Sequence, residues 1–347
     1  KGVRIAESSS DPEAVALLTQ RHPDWSVRQM KSALMSTAGA AWGNSARTQE
    51  ASVLLEGAGL VNVQAADSPL IFTEPGSLSF GDMNLLAGVT SKQLLLSVRD
   101  AGGGAGTWTV ELQPQSASAG ATLELPSTVT VAPGGSVDVQ VTARAGAAAP
   151  KGDNYGFVVL RSGAATRRVP YAFFVTRPGL HAVTARQLRR VQEGSTRTGQ
   201  SFADLYRFPA APFGHSPDYG TGPDMQEDGG ERLYSIRVRN RVVNIGAAVI
   251  SSSTGAAIDP FFLGAKDENA VQGYVGTPTN INGLTIGYRL PVGAAGAVFA
   301  PPGTYYVSVD SGRDVFTDAR LAGTYRLRSW VNDVNAPLIR LLTTRVS

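Results

Sequence analysis

"VTVAPGGSVDVQVTARAGAAAPKGDNYGFVVLRSG", residues 129–163, decides the fold class. Within it, "SVDVQVTA" (Ser136–Ala143) sets an apolar residue at every second position. That is the period of a strand with one face in a core. "APGG" and "APKGDN" interrupt the pattern with residues that favour turns. The same texture continues outward. "SLSF", "QLLLSV", "TWTVEL", "ATLEL" and "TVTV" come before it or overlap its start, "RRVPYAFFV" follows, and "DAGGGAG" marks another turn. No convincing helix interrupts residues 68–178, and the spacing predicts an antiparallel sandwich of two sheets. Trp108 alternates with Val110 and Leu112, which places it between the sheets as core filling.

Residues 179–347 are strand-rich too: "ADLYRF", "RLYSIRV", "VVNIGAAVI", "LTIGYRL", "TYYVSV", "TYRLRSWV" and "PLIRLLTTRV". They predict a second β-sandwich, with "PFGHSPDYGTGPDMQEDGGE" (Pro212–Glu231) as an exposed loop. No repeat relates it to the first.

Residues 1–67 read as helical. In "DPEAVALLTQ", Asp11 suits an N-cap, Pro12 the first helical position and Glu13 the positive end of the dipole. Pro23 breaks that helix. Ser26 and Gln29 form an S-x-x-Q capping box for a second, with Met30, Ala33, Leu34 and Thr37 on one face. Gly57 and Gly59 mark a turn before "LVNV". The fold class is thus mainly β: a short helical segment (1–67), then two consecutive antiparallel β-sandwich domains (68–178 and 179–347).

Composition narrows the function classes. The 347 residues include no cysteine, which excludes disulfides, thiol chemistry and cysteine-ligated metal centres. Net charge is +3 from 31 basic and 28 acidic residues, too even a balance to point to nucleic acid. The densest basic run, "ARQLRRVQEGSTR" (Ala185–Arg197), has no interleaved aromatic and reads as a solvated face or linker. No apolar stretch is long enough to span a membrane. The opening is charged and already in a helical pattern, so the expectation is a fragment whose targeting segment lies elsewhere.

Two stretches carry a resemblance. "AVALLTQRHPDWSVRQMKSALMSTA" (Ala14–Ala38) and "GAGLVNVQAA" (Gly57–Ala66) resemble, in order and spacing, the end of the catalytic domain of subtilisin-like serine peptidases (subtilases). In that family the serine stands in Gly-Thr-Ser-Met-Ala-x-Pro-His-Val-Ala-Gly, upstream of an Ala-Ala-Leu-Leu helix end. Residues 1–67 would then be a C-terminal remnant of a subtilase α/β catalytic domain. "PGSLSFG", "GTWTVEL" and the opening stretch resemble the fibronectin-type-III-like domain that follows it in large extracellular subtilases. "DPFFLGAKDENAVQGYVGTPTNIN" and "GTYYVSVDSGRD" look like a further C-terminal sandwich found in some of them.

The resemblance implies a serine endopeptidase parent, secreted, acting on proteins or peptides through an acyl-enzyme. The chain's partners would be an upstream catalytic domain and those substrates, with no nucleic acid and no membrane span. Counting back from Leu17 and Leu18, the family serine falls on Ile5, whose neighbours do not recover the motif; Ser8, Ser9 and Ser10 suit a polar cap. The three histidines, His22, His181 and His215, have no acid–hydroxyl arrangement beside them in sequence. No catalytic residue is expected, and the chain alone is expected to be inactive scaffold. Without the sheet they cover in the family, Met30 and Leu34 are expected to stand exposed unless they dock elsewhere. The alternative is a stand-alone extracellular binding or adhesion module for carbohydrate or protein.

Two further sets of residues could carry a ligand. No cofactor is required, but calcium takes oxygen ligands from sandwich loops. Asp267, Glu268, Asp310 and Asp314 are the candidates, with "KDEN" and "DSGRD" converging in space; turn formation and solvation explain the same acids. Tyr305, Tyr306, Tyr325 and Trp330 could form a sugar platform. Alternation, however, puts Tyr305 opposite Tyr306 and Tyr325 opposite Trp330.

Overall fold

The structure is a computed structural model, and it describes residues 12–203, 229–274, 293–312 and 319–331. The fold is mainly β. The chain divides into two compact units, one reaching Arg177 and the other beginning at Pro178. No described helix is long and apolar enough to cross a membrane.

The first unit opens with helices α1 (Pro12–Arg21), α2 (Val27–Ser36), α3 (Val53–Glu56) and α4 (Val63–Asp67). The capping box at α2 is present. Ser26 Oγ accepts from Gln29 N at 3.3 Å, and Gln29 Oε1 accepts from Ser26 N at 2.8 Å. It satisfies two amide donors that a helix start would leave open. Ala33 and Leu34 of α2 then pack on Ala14 and Leu18 of α1, Ala66 of α4 and Phe72. Gly59 lets the chain turn back against Gly39: its φ is +108°, and a Cβ there would stand 2.1 Å from Gly39 O.

The nine strands of the first sandwich are β1 (Ile71–Glu74), β2 (Leu78–Asn84), β3 (Ser91–Asp100), β4 (Gly106–Ser116), β5 (Ala121–Glu124), β6 (Thr128–Val131), β7 (Ser136–Ala145), β8 (Gly152–Ser162) and β9 (Ala165–Thr176). They form two sheets, ordered β1-β3-β7-β5 and β2-β9-β8-β4-β6. Val139, Val141 and Ala143 of β7 face inward, as their alternation requires. They meet Leu96, Val98, Leu160, Phe173 and Trp108 in one core. Trp108 is 1% exposed, and its indole N–H donates to Gly104 O at 2.8 Å. Outside the core, Asp100 ties two turns together by accepting from the backbone N–H groups of Gly102, Gly104 and Gly134.

Two features depart from a simple antiparallel sandwich. β2 runs parallel to β9, with Leu78 opposite Tyr171. The long stretch between them supplies the crossover that parallel neighbours need. β8 and β9 are also buried on both faces, which suppresses the alternation in "FVVL" and "YAFFV". Their outer face, Phe157, Val159, Ala172 and Phe174, is covered by Val53 and Leu54 of α3. Gln115 joins the two layers, its Oε1 accepting from Val53 N at 2.7 Å and its Nε2 donating to Ala51 O at 2.9 Å. Ser32 of α2 accepts from Thr73 N of β1 at 2.6 Å. The helical segment is therefore docked on the sandwich. Met30 and Leu34, expected to stand exposed unless they docked elsewhere, are only 8% and 9% exposed.

The second unit contains β10 (Arg186–Gln187), β11 (Val191–Ser195), β12 (Arg232–Val238), β13 (Asn244–Ser252), β14 (Ile258–Leu263), β15 (Val271–Tyr274), β16 (Ala294–Val298), β17 (Gly303–Ser311) and β18 (Thr324–Val331). They form sheets ordered β10-β12-β17-β14-β15 and β11-β18-β13-β16. Ile236, Ile245, Ala247, Phe262, Val307 and Leu327 fill the space between them. Across this core the hydroxyls of Tyr234 and Tyr325 bond at 2.8 Å, which satisfies two buried polar groups at once. The pairing of β10 with β12 is again parallel. The strands expected in residues 204–208, "LTIGYRL" and "PLIRLLTTRV" lie outside the described residues, as does nearly all of the polar stretch 212–231.

Candidate functional site

Acyl transfer by a serine peptidase needs a hydroxyl, a histidine and a carboxylate in one place. His22 supplies part of that. It sits in the turn between α1 and α2, its ring stacked on Trp25 with centroids 3.8 Å apart. Its Nε2 lies 2.9 Å from Asp67 Oδ1 and 3.1 Å from Asp67 O. Arg21 Nε meets the same Oδ1 at 2.6 Å, and Arg21 first, then His22, holds the Asp67 carboxyl below the usual range. No hydroxyl bonds the His22 ring among the described residues. The arrangement pins the helix turn against the end of α4. His181 is engaged through its backbone oxygen, which accepts from Lys266 Nζ at 2.7 Å. Ile5, Ser8, Ser9, Ser10 and His215 lie outside the described residues.

The candidate calcium ligands do not converge. Asp259 stands opposite Asp310 at the start of β14, and Leu263 at its end stands opposite Tyr306. Asp267 and Glu268 follow that far end. At ~3.3 Å per residue they are more than ~13 Å along the strands from Asp310. Each acid also has other work. Asp267 Oδ1 accepts from the backbone N and side-chain Nδ2 of Asn269 at 2.8 and 2.9 Å. Glu268 accepts from Gly179 N at 2.8 Å and Leu180 N at 3.2 Å, and burial raises its pKa. Asp310 Oδ1 accepts from Ser311 N at 2.8 Å. Burial pushes the neighbouring Asp259 up to about 6. Asp314 lies outside the described residues. Among the described residues, no group of three or more acids and histidines is placed to hold a metal ion.

The aromatic candidates are core. Tyr305 stacks on Phe262 at 5.6 Å and donates to Pro301 O at 2.8 Å. Tyr325 faces the inter-sheet core, whereas Trp330 packs with Ala248 and Ala294 on the other side of its sheet. Tyr306, on the face opposite Tyr305, packs against the cluster around Leu180 and Leu263. No platform results.

Two features have no signal in the local sequence. The helical segment carries an apolar groove of about 470 Å³, lined by Val15, Val27, Met30, Leu34, Met35 and Val61 among others. The second is a buried charge cluster where the helical segment meets the sandwich. Glu56, at the end of α3, accepts from Ala41 N at 2.8 Å, and its carboxyl is 3.9 Å from Arg168 Nη2 of β9. Arg168 also pairs with Glu50 and lies over the Phe157 ring, 3.6 Å from its centroid. Desolvation first, and then the proximity of Glu50, push Glu56 up to about 7.

No protein-family model and no curated protein matches the chain. Solved structures give slight likenesses. The pre-peptidase C-terminal domain of collagenase from Bacillus anthracis is 18% identical, with a TM-score of 0.24, covering 45% of this chain and 99% of that one. A protein of unknown function from Porphyromonas gingivalis W83 is 11% identical, with a TM-score of 0.23, covering 70% of this chain and 83% of that one. A structure titled manganese lipoxygenase of Gaeumannomyces graminis and partial zonadhesin of Komagataella pastoris is 13% identical, with a TM-score of 0.17, covering 73% and 92%. At such scores the likenesses identify no family, and what places the chain among mainly β proteins is its own two pairs of sheets.

Proposed function

We propose that this chain is the non-catalytic C-terminal portion of a secreted subtilisin-like serine endopeptidase, in which the two β units are scaffold for the catalytic domain or present its protein substrates. The reading is carried by the apolar groove along α1 and α2. Val27 at its rim is 81% exposed, and Leu17 and Leu60 of the same helical segment are exposed as well. An apolar surface of this kind calls for a covering layer. In the subtilase reading that layer is the sheet of the catalytic domain. The opposite side of the segment is anchored on β1, β4, β8 and β9 through Ser32, Val53, Leu54 and Gln115. The segment would thus join a catalytic domain on one side to a sandwich on the other.

The test is expression of the reading frame that precedes this chain, joined to it and apart from it. The joined protein should take up a serine-directed fluorophosphonate and cleave casein, while this chain alone takes up none. Labelling of the isolated chain, or an upstream frame without an Asp, a His and a Gly-Thr-Ser-Met-Ala, overturns the reading.

A further inference from the structure

The basic run first read as a solvated face or linker has a definite place in the second unit. β10 and β11 are edge strands, one in each sheet, and Leu188–Arg190 joins them across the open side of the sandwich. Its backbone is fixed from both sides. Leu188 N donates to Ser235 O at 2.9 Å, and Ser329 donates from its N and its Oγ to the carbonyls of Arg190 and Arg189, both at 3.0 Å. The side chains of Arg186, Arg189 and Arg190 are exposed. They line a groove of about 800 Å³ together with Gln187, Leu188 and Gln192.

More charge lies in line with it. β10 runs parallel to β12, with Arg186 opposite Tyr234. The chain after Gln187 therefore heads toward the end of β12 that carries the exposed Arg237, Arg239 and Arg241. From Tyr234 to Val238 is ~13 Å at ~3.3 Å per residue, before the turn adds its length. Among the described residues no ion pair involves any of these six arginines. The one acid in residues 183–193 and 232–252 is Glu193, whose carboxylate lies 3.7 Å from Arg326 Nε.

We propose that this edge binds a linear sulfated polysaccharide. Every cation in the row is arginine, whose planar fork takes a sulfate or carboxylate through two parallel hydrogen bonds. Their spacing along an edge suits a chain that carries an anion on successive sugars. A single nucleic-acid strand would call for aromatic faces to stack on, and none occurs in residues 186–192 or 237–243. A backbone fixed beneath exposed side chains also leaves little main-chain entropy to lose on binding.

The test is calorimetry of this chain with a heparin oligosaccharide, in parallel with its desulfated form, single-stranded DNA, duplex DNA and phosphatidylserine vesicles. The sulfated oligosaccharide should bind tightest, and its affinity should fall with salt as counterions are released. The variant R186Q/R189Q/R190Q should lose about tenfold or more in affinity and show a shallower salt dependence. Its Tm should not change, because these side chains bear no packing. The variant R28Q/R99Q, at exposed arginines of the first unit, should bind as the parent does. Absence of binding, retention of affinity by the triple variant, or tighter binding of DNA or vesicles would overturn the proposal. These assays use the isolated chain, so their outcome is independent of whether a catalytic domain precedes it.

Discussion

Replacing Glu56 by glutamine should make the first unit more stable at alkaline pH and leave it nearly unchanged in mild acid. The Glu56 side chain is 1% exposed and shares its surroundings with Glu50 and a single guanidinium, Arg168. Its carboxyl titrates at about 7 in the folded chain against an ordinary value of 4.5. A raised carboxyl pKa means that the folded state prefers the protonated form. The penalty is therefore absent below the ordinary value, grows as pH rises through the window between the two, and is complete above the folded value. Full ionisation withholds up to about 3 kcal/mol from folding. Screening by water reduces the expected effect to about 2 kcal/mol. Glutamine keeps the acceptor for Ala41 N, offers an N–H toward Glu50 and carries no charge to desolvate. Urea unfolding at pH 5 and pH 8 is the assay. The parent should lose about 2 kcal/mol between them through this group, and E56Q should show a flatter profile and a gain of similar size at pH 8. In Tm the gain would be about 4–8 °C for a unit of this size. An E56Q protein with the parent's pH profile, or one less stable at pH 8, would refute the assignment.

Three other substitutions or additions have defined outcomes. Trp108→Ala should cost about 3–5 kcal/mol in urea unfolding, because it opens a cavity between the sheets and removes the donor to Gly104 O; a loss under about 1 kcal/mol would contradict the packing. Ser26→Ala should cost about 1 kcal/mol through the capping box, measured by thermal melting, with Ser26→Gly milder than that. Millimolar calcium should leave the Tm of the second unit unchanged, since Asp267 and Glu268 are already committed to local N–H groups; a rise that saturates with calcium would reveal a site after all.

Features written in a few neighbouring residues were legible in the sequence. The Ser26–Gln29 box, the inward set of β7 and the core position of Trp108 each depend on a local period or a local hydrogen bond. What failed to show depends on partners distant in the chain. The double burial of β8 and β9 comes from Val53 and Leu54, and it erased the alternation that would have displayed their facing. The parallel registers of β2 with β9 and β10 with β12 are set by backbone pairing, to which side-chain patterning is blind. Nothing in the arginine-rich run between Arg186 and Arg190 has strand periodicity, since the run is held through its backbone and its arginine side chains stay exposed. The acids illustrate the same limit. "KDEN" and "DSGRD" look alike as acidic turns, and only the pairing of β14 with β17 sets Asp267 and Glu268 beyond one end of the paired strands and Asp310 at the other. Glu56 has no local mark at all, because its burial depends on Ala41 N and on Arg168 from a later strand.

The place of β9 in its sheet has a consequence for synthesis. It is the last strand of the first unit to leave the ribosome, yet it lies between β8 and β2 and contributes to both buried layers. Until it emerges, β2 and β8 each present an open edge, and the apolar side of α3 lacks Ala172 and Phe174, half of the surface it rests on. Such contacts between distant parts of a chain close slowly, and open edges recruit strands from other molecules. A protein cut short before Ala165 should therefore clump rather than settle into a smaller domain.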